Sequence, residues 1–221
     1  MIREKINDVQ SGYDLVADEY ARRIADELQH KPLDCQWLDH FAQSVRNAGV
    51  VCDLGCGPGH IARYLHRRGI PVCGMDLSPG MVQQARQLNP GIKFRQGDMR
   101  ALPVPDNEWA GIAAFYAIVN LAPGDLALAL REMLRVLLPG GRLLLSFHIG
   151  DDSSQVEDLW DSGAALEFYF YRRSTMERLL SSAGFDIEET LEREPYAPDV
   201  EFQSRRAYIF ARTSMTKIAS V

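Results

Sequence analysis

Apolar residues along this chain alternate between two rhythms. In one, they recur every three or four positions; in the other, they run consecutively for a few residues. The first marks one buried face of a helix and the second a strand covered on both sides. Tyr13, Val16, Ala17, Tyr20 and Ile24 predict a helix within residues 8–28. Trp37, Leu38, Phe41 and Val45 predict a second, ended by Asn47-Ala48-Gly49. A strand through Val50, Val51 and Leu54 follows, then a helix from Ile61 to Arg68 that Gly69 stops. Ile70–Met75 reads as the next strand. Ser78-Pro79 opens a helix with a buried stripe at Met81, Val82, Ala85 and Leu88, broken by Asn89-Pro90-Gly91.

The alternation continues. Ile92–Gln96 and Trp109–Ala117 read as strands, and Asp125–Leu138 as an amphipathic helix stopped by Pro139-Gly140-Gly141. A strand from Arg142 to Phe147 follows. After His148 the pattern loosens into an acidic loop, a short helical stretch around Val156, Leu159 and Trp160, and an aromatic cluster at Phe168, Tyr169, Phe170 and Tyr171. Ser174-Thr175-Met176-Glu177 predicts a capping box for a helix that Gly184 closes. Phe185–Arg193 and Arg206–Arg212 read as strands joined without a helix, hence an antiparallel pair at a sheet edge. Repeated strand–helix–strand units predict an α/β fold with a doubly wound, mostly parallel sheet.

One bend carries the chemistry. Gly55, Gly57 and Gly59 follow the first strand directly. Glycine there permits positive φ and a close approach of a ligand to the backbone. Asp76, at the end of the next strand, lies about 20 residues on, the spacing at which a carboxylate accepts hydrogen bonds from ribose hydroxyls.

Composition narrows the class. With 221 residues, 46% hydrophobic and 24% charged, the chain suits one domain with a sizeable core. Its formal net charge of −6 argues against a large nucleic-acid footprint. The first residues lack the apolar core of a secretory signal, and the longest apolar run, Gly111–Val119, is far short of the ~18 residues of a membrane span. A cytoplasmic location is the expectation. Cys35, Cys52, Cys56 and Cys73 form no C-x-x-C pair, so neither a metal site nor a disulfide is expected.

Asp53-Leu54-Gly55-Cys56-Gly57-Pro58-Gly59, Met75-Asp76-Leu77-Ser78, Gly97-Asp98-Met99 and Leu138-Pro139-Gly140-Gly141-Arg142 stand in order along the chain. Together they resemble the motifs of class I S-adenosylmethionine-dependent methyltransferases, over roughly residues 45–212. The resemblance implies a seven-stranded sheet with an antiparallel C-terminal edge hairpin. It also implies N-terminal helices over the site and a small helical and aromatic lid. The chain is expected to be a single methyltransferase domain, 1–221. Its parts are cap helices in 1–48, a cofactor-binding core in 49–148, a lid in 149–173, and a last helix and hairpin in 174–213.

Site roles follow from the same resemblance. Asp53 orients the bend or meets the methionine amino group. Gly55, Cys56 and Gly57 let the backbone pass under the cofactor. Asp76 takes the ribose hydroxyls, Leu77 and Met81 flank the adenine, and Asp98 with Met99 faces its far edge. Phe115 and Tyr20 complete the cofactor set; Tyr13 and Tyr20, seven apart on the first helix, either close the cofactor site as similar tyrosines do in relatives or only pack that helix over the sheet. The candidate catalytic residues are His148, Tyr116 and Asn120. His148, at a strand end, has the chemistry of a general base. Equally it can be a solvated strand-end residue. Trp160, Phe168, Tyr169 and Tyr171 either wall a substrate pocket or pack the lid. Arg172 and Arg173 either hold an acidic substrate or form a solvated charged pair.

Family members often begin the fourth strand with Phe-Asp, where this chain has Trp109-Ala110. Val119-Asn120 stands where they often carry paired histidines. The expected activity is in-line transfer of a methyl group from S-adenosylmethionine to a small molecule, leaving S-adenosylhomocysteine, by a monomer or homodimer without nucleic-acid or membrane partners. A non-catalytic cofactor-binding subunit, a methyltransferase acting on a macromolecule and a nicotinamide-dependent oxidoreductase are the alternatives.

Overall fold

A computed structural model describes residues 2–151, 153–156 and 158–215. Nine strands and six α-helices alternate along it. In order they are α1 (Ile2–Ile24), α2 (Pro32–Ser44), β1 (Val51–Leu54), α3 (His60–His66), β2 (Val72–Asp76), α4 (Pro79–Leu88), β3 (Lys93–Gln96) and β4 (Trp109–Phe115). Then follow α5 (Pro123–Val136), β5 (Leu137–His148), β6 (Ser153–Val156), β7 (Leu166–Tyr169), α6 (Arg173–Ala183), β8 (Phe185–Arg193) and β9 (Arg206–Thr213).

Seven strands make one sheet in the order β3-β2-β1-β4-β5-β9-β8. The first five are parallel, and β9 runs antiparallel to both β5 and β8. β4 is buried along its whole length, as a strand covered on both faces must be. On one face Leu126, Leu130 and Met133 of α5 and Leu180 of α6 pack against Ile112 and Leu143; on the other, Phe41 of α2 and Val45 just after it meet Ala113 and Leu144. The chain winds outward in both directions from the boundary between β1 and β4, so their following loops part there and leave a crevice.

The cap over that crevice is fixed at one residue. Ser78 caps α4 by accepting the Met81 N–H at 3.0 Å, and its own hydroxyl donates to Asp14 of α1. Asp14 also accepts the Gly80 N–H at 2.9 Å. A side chain at Gly80 would press on Asp14 and Ala17, so glycine sets how closely α1 lies on α4.

Four local expectations need correction. The lid is a two-stranded antiparallel hairpin, β6–β7, with a single 3-10 turn at Leu159–Asp161. The helical stretch expected around Val156 is therefore strand there; Glu157 beside it, and Asp152 in the acidic loop, lie outside the described residues. The Tyr169 N–H donates to the Val119 carbonyl at 2.6 Å, which anchors β7 to the loop after β4 and favours the extended form. The capping box at Ser174 is not formed: α6 begins a residue earlier, at Arg173, with no side-chain cap. Glu177 is instead bonded to the Arg173 guanidinium, which also reaches Glu192 at 2.7 Å. Pro139-Gly140-Gly141 does not precede the fifth strand but lies inside it, where the register against β4 shifts between Trp109 and Gly111. Gly140 takes φ +73° in that irregularity. Finally, β4 ends at Phe115, not Ala117, because Tyr116 turns to φ +52°.

Among the described residues no helix is long and apolar enough to cross a membrane. Leu130 is fully buried between α5 and the sheet. Leu130→Ala should lower the unfolding free energy by about 2–5 kcal/mol, the usual cost of a core cavity. Urea denaturation measures it; a loss well under 1 kcal/mol would mean that α5 does not pack as described.

Candidate active site

The bend after β1 is bonded across to β2. The Met75 carbonyl accepts both the Gly55 N–H at 2.8 Å and the Cys56 N–H at 3.0 Å. The Gly57 N–H donates to Asp76 Oδ2 at 2.8 Å, and Asp76 Oδ1 accepts the Ser78 N–H at 2.9 Å. The bend needs glycine for two reasons. Gly55 and Gly57 have φ of +70° and +49°, and a Cβ on Gly55 would overlap the Ala117 side chain.

Above this bend lies a cavity of about 1450 Å³. It brings together Tyr20, Gly55, Cys56, Gly57, Asp76, Leu77, Met81, Asp98, Met99, Phe115, Tyr116, Asn120 and His148 on one wall system. Tyr13, His60, Trp160, Phe168 and Tyr169 also line it. Of the expected site residues Asp53 stands apart. It is 1% exposed, behind the bend, and its Oδ2 accepts the Ala62 N–H at 2.8 Å in the first turn of α3. Burial pushes its carboxyl up to about 7, against the opposing pull of His60 and the Ala62 N–H.

Asp76 is on the wall, with each oxygen accepting one backbone N–H and keeping a second lone pair. Burial raises its pKa, while the Ser78 and Gly57 N–H groups draw it back down. Asp98 is committed more fully. Its two oxygens take the Arg100 guanidinium at 2.8–3.2 Å, and Arg100 also reaches Asp125 at 3.1 Å. Burial alone would raise the Asp98 carboxyl, but Arg100 outweighs it and holds it below the usual range. Leu77, Met81 and Met99 give the neighbouring wall an apolar surface suited to a flat ring.

The candidate catalytic residues differ in how free they are. Asn120 is a clamp: its Oδ1 accepts the Tyr13 hydroxyl at 2.8 Å, and its Nδ2 donates to the Glu167 carbonyl at 2.8 Å, joining α1 to the lid. Tyr116 sits at the left-handed bend ending β4, its hydroxyl 3.1 Å from that of Tyr208. His148 Nδ1 lies 2.7 Å from Ser204 Oγ. Burial, then the charge of Arg206, pushes the His148 pKa down to about 3, so the ring is neutral and resists taking a proton. Arg172 pairs with Asp151 at the surface, and Arg173 ties α6 to β8; neither lines the cavity.

Sequence reasoning missed a set of charges on the same wall. Glu27 bonds His60 at 2.9 Å and Lys31 at 2.6 Å. Burial works upward on the Glu27 carboxyl, yet His60 and Lys31 hold it down to about 2. Glu201 and Phe202 reach the wall from the segment before β9, and Arg206 from the first residue of β9. No short motif marks these residues. The only local signal is Lys31 four positions after Glu27, an ordinary helix-surface pair.

A family profile described as a methyltransferase domain matches residues 51–141. The chain is 34% identical over 151 residues to a malonyl-[acyl-carrier protein] O-methyltransferase of Erwinia billingiae, covering 66% of this chain and 58% of that protein. It is 32% identical over 148 residues to a 2-phytyl-1,4-naphtoquinone methyltransferase of Thermosynechococcus vestitus, covering 62% and 63%. Residues 51–141 thus match a methyltransferase domain, and over about two thirds of its length the chain is similar to methyltransferases. It spans about three fifths of the length of these curated relatives. A crystal structure of an S-adenosylmethionine-dependent methyltransferase from Methanosarcina mazei shares the fold, with a TM-score of 0.68 at 18% identity, over 76% of this chain and 93% of that one.

The residues present fit the family's cofactor. The bend offers a cradle at Gly57, where a Cβ would project to within 3.6 Å of the facing Tyr20 ring. The carboxylate of Asp76 and the slot at Met81 lie on the same wall.

The neutral state of Asp53 generates a pH dependence. Its folded pKa of about 7 lies above the ordinary 3.8, so the fold holds a proton that the unfolded chain has lost. That stabilisation is complete below pH 4 and fades as pH rises through 7. The melting temperature of the wild type, relative to Asp53→Asn, should therefore fall between pH 4 and 7 and level off above. Parallel melting profiles for the two proteins would show that Asp53 is charged in the fold.

Proposed function

We propose that this chain transfers a methyl group from S-adenosylmethionine to a small-molecule acceptor. The observation that carries this reading is the juxtaposition, in one cavity, of a glycine bend and ribose-type carboxylate with an aromatic chamber beyond Phe115. The cavity, at about 1450 Å³, exceeds the roughly 300–1000 Å³ typical of a single small-ligand pocket. Room for a second molecule favours an enzyme over a non-catalytic cofactor-binding subunit.

When bound, S-adenosylmethionine supplies an electrophilic methyl group on a sulfonium centre. The chain's own part is to bind, orient and exclude water. Asp76 holds the ribose hydroxyls with its remaining lone pairs, Leu77, Met81 and Met99 clasp the adenine, and Gly55 and Gly57 leave room under the amino-acid arm. Tyr20, Trp160 and the lid cover the opening: the Tyr20 and Trp160 rings lie 5.7 Å apart, joining α1 to the hairpin. Positioning of two reactants in a closed site is the main contribution such a protein makes to an already activated donor.

Proton removal is a smaller part of the chemistry here. His148 is the wall residue with the right chemistry, but burial and nearby cations oppose its protonation. An acceptor that is already nucleophilic at neutral pH suits this site. The similar proteins include a malonyl-[acyl-carrier protein] O-methyltransferase and a 2-phytyl-1,4-naphtoquinone methyltransferase, and a partly apolar acceptor agrees with both. The reading extends to a cytoplasmic monomer or homodimer, with no nucleic-acid or membrane partner.

Calorimetry with S-adenosylhomocysteine tests the first half of the reading: one molecule should bind per chain. Asp76→Ala should weaken that binding about 10- to 100-fold, the loss of charge-assisted hydrogen bonds. Undiminished affinity in the variant would move the ribose elsewhere. A screen of acceptors with methyl-labelled donor tests the second half.

A further inference from the structure

Where β5 and β9 meet the cavity, Arg206 stands opposite His148 in the strand register. It lines the cavity and is 2% exposed. Its Nη1 donates to the Ser204 carbonyl at 2.5 Å and to Ser204 Oγ, and its Nη2 donates to the Phe202 carbonyl at 2.7 Å. Its Nε has no partner. The nearest carboxylate recorded for it is Glu201, 3.7 Å from Nη2 and beyond hydrogen-bond range.

The neighbouring cations are served differently. Glu201 accepts from both terminal nitrogens of Arg193 and from the Tyr196 N–H at 2.7 Å. Lys31 is bonded to Glu27 at 2.6 Å. Arg206 is thus a buried guanidinium whose hydrogen bonds all go to neutral groups, with Glu201 only at ion-pair distance and Nε unpartnered. A buried charge hydrogen-bonded only to neutral acceptors is costly, because these recover less than a bonded carboxylate does. The fold keeps this cost at the edge of a cavity large enough for a ligand.

The surroundings fit an acid with an apolar body. The Arg206 guanidinium lies 5.4 Å from the centre of the Tyr116 ring, and Lys31 Nζ lies 5.6 Å from it. His148 is 5.3 Å from Tyr116, 5.6 Å from Phe170 and 6.0 Å from Phe202, ring centre to ring centre. After burial, the groups that oppose a charge on His148 are Arg206, Lys31 and Arg193, with Glu201 acting the other way. The imidazole therefore senses a positive field.

We infer that Arg206 is the docking cation for an acidic acceptor, a small molecule whose carboxylate meets the guanidinium while its apolar part lies against Tyr116, His148, Phe170 and Phe202. This inference rests on the acceptor chamber of the methyl-transfer reading. A carboxylate suits it better than a phosphate, because Arg206 keeps a single unpartnered nitrogen, Nε, and Glu201 stands close enough to repel a dianion.

The test uses the full chain, with and without S-adenosylhomocysteine, and calorimetric titration with phenylacetate and octanoate against phenylacetamide and octanamide. The acids should bind at least about tenfold more tightly than their amides. Arg206→Gln should erase that preference and Arg206→Lys should keep part of it, with circular dichroism confirming that each variant folds. Equal binding of acids and amides by the wild type overturns the inference, whatever the variants do. So does an acid preference that survives intact in folded Arg206→Gln. Failure of S-adenosylhomocysteine to bind counts against the cofactor reading instead, and the acid–amide comparison on the unloaded chain still decides the role of Arg206.

Discussion

The hydrogen bonds that tie the bend after β1 to the end of β2 decide what kind of ligand this fold can accept. The backbone N–H groups of Gly55 and Cys56 are taken by the Met75 carbonyl, that of Gly57 by Asp76, and that of Gly59 by the Cys56 carbonyl. A glycine-rich bend that opens a helix usually serves an anion with its free N–H groups. Here those donors are already used, and the side chain beside them is a carboxylate. A pyrophosphate would find these bend donors occupied and a carboxylate beside them. A ribose, whose hydroxyls donate, and a cationic sulfonium or ammonium group match what is left over. The same bonds also explain why the bend's shape does not depend on a ligand: it is closed by the protein itself.

Enclosure follows from contacts that begin at that bend and reach across the molecule. Asp14 of α1 is bonded at the start of α4, two residues after Asp76. Two residues earlier on the same helix, Gly12 lies against the Leu166 side chain of the lid strand, which a Cβ there would have to push aside. The Tyr13 hydroxyl between them reaches Asn120, and Asn120 reaches the backbone of β7. The helix, the lid and the loop after β4 thus share one bonded seam. Both ends of the Asn120 amide are engaged in this seam, so its contribution is to hold the roof in place.

The sheet and the cofactor end of the site were legible because their signals are local. A buried parallel strand writes itself as a run such as Trp109–Phe115, and Ser78-Pro79 announces a helix start that the fold forms as expected. The bend and Asp76 are read together because adjacent parallel strands bring both loop ends to one rim. The failures share a different cause. Glu177 could bond a backbone N–H or an arginine, and only the position of Glu192 on β8 makes Arg173 the anchor. The lid's aromatic residues fit either a helix or a strand until the Val119 carbonyl is available to Tyr169. Lys31 and Arg206 come from distant parts of the chain and meet only around the Tyr116 ring. No window of sequence contains that encounter.

The two ends of the cavity are joined by charge as well as by space. Glu27 bonds His60, which opens the helix after the glycine bend, and also Lys31, which lies over Tyr116. Lys31 lies 3.6 Å from Glu201, which in turn holds Arg193, and Arg193 lies 3.3 Å from Asp34. Each member is nearly buried and has at least one opposite charge beside it, so shifting one member leaves another without its partner. A ligand's charge entering at either end is therefore met by a network rather than by a single residue. Such a network costs little to reorganise only if it is already set in place, and the packing of α2 under β9, with Trp37 stacked on Tyr208 at 5.7 Å, fixes it before any ligand arrives.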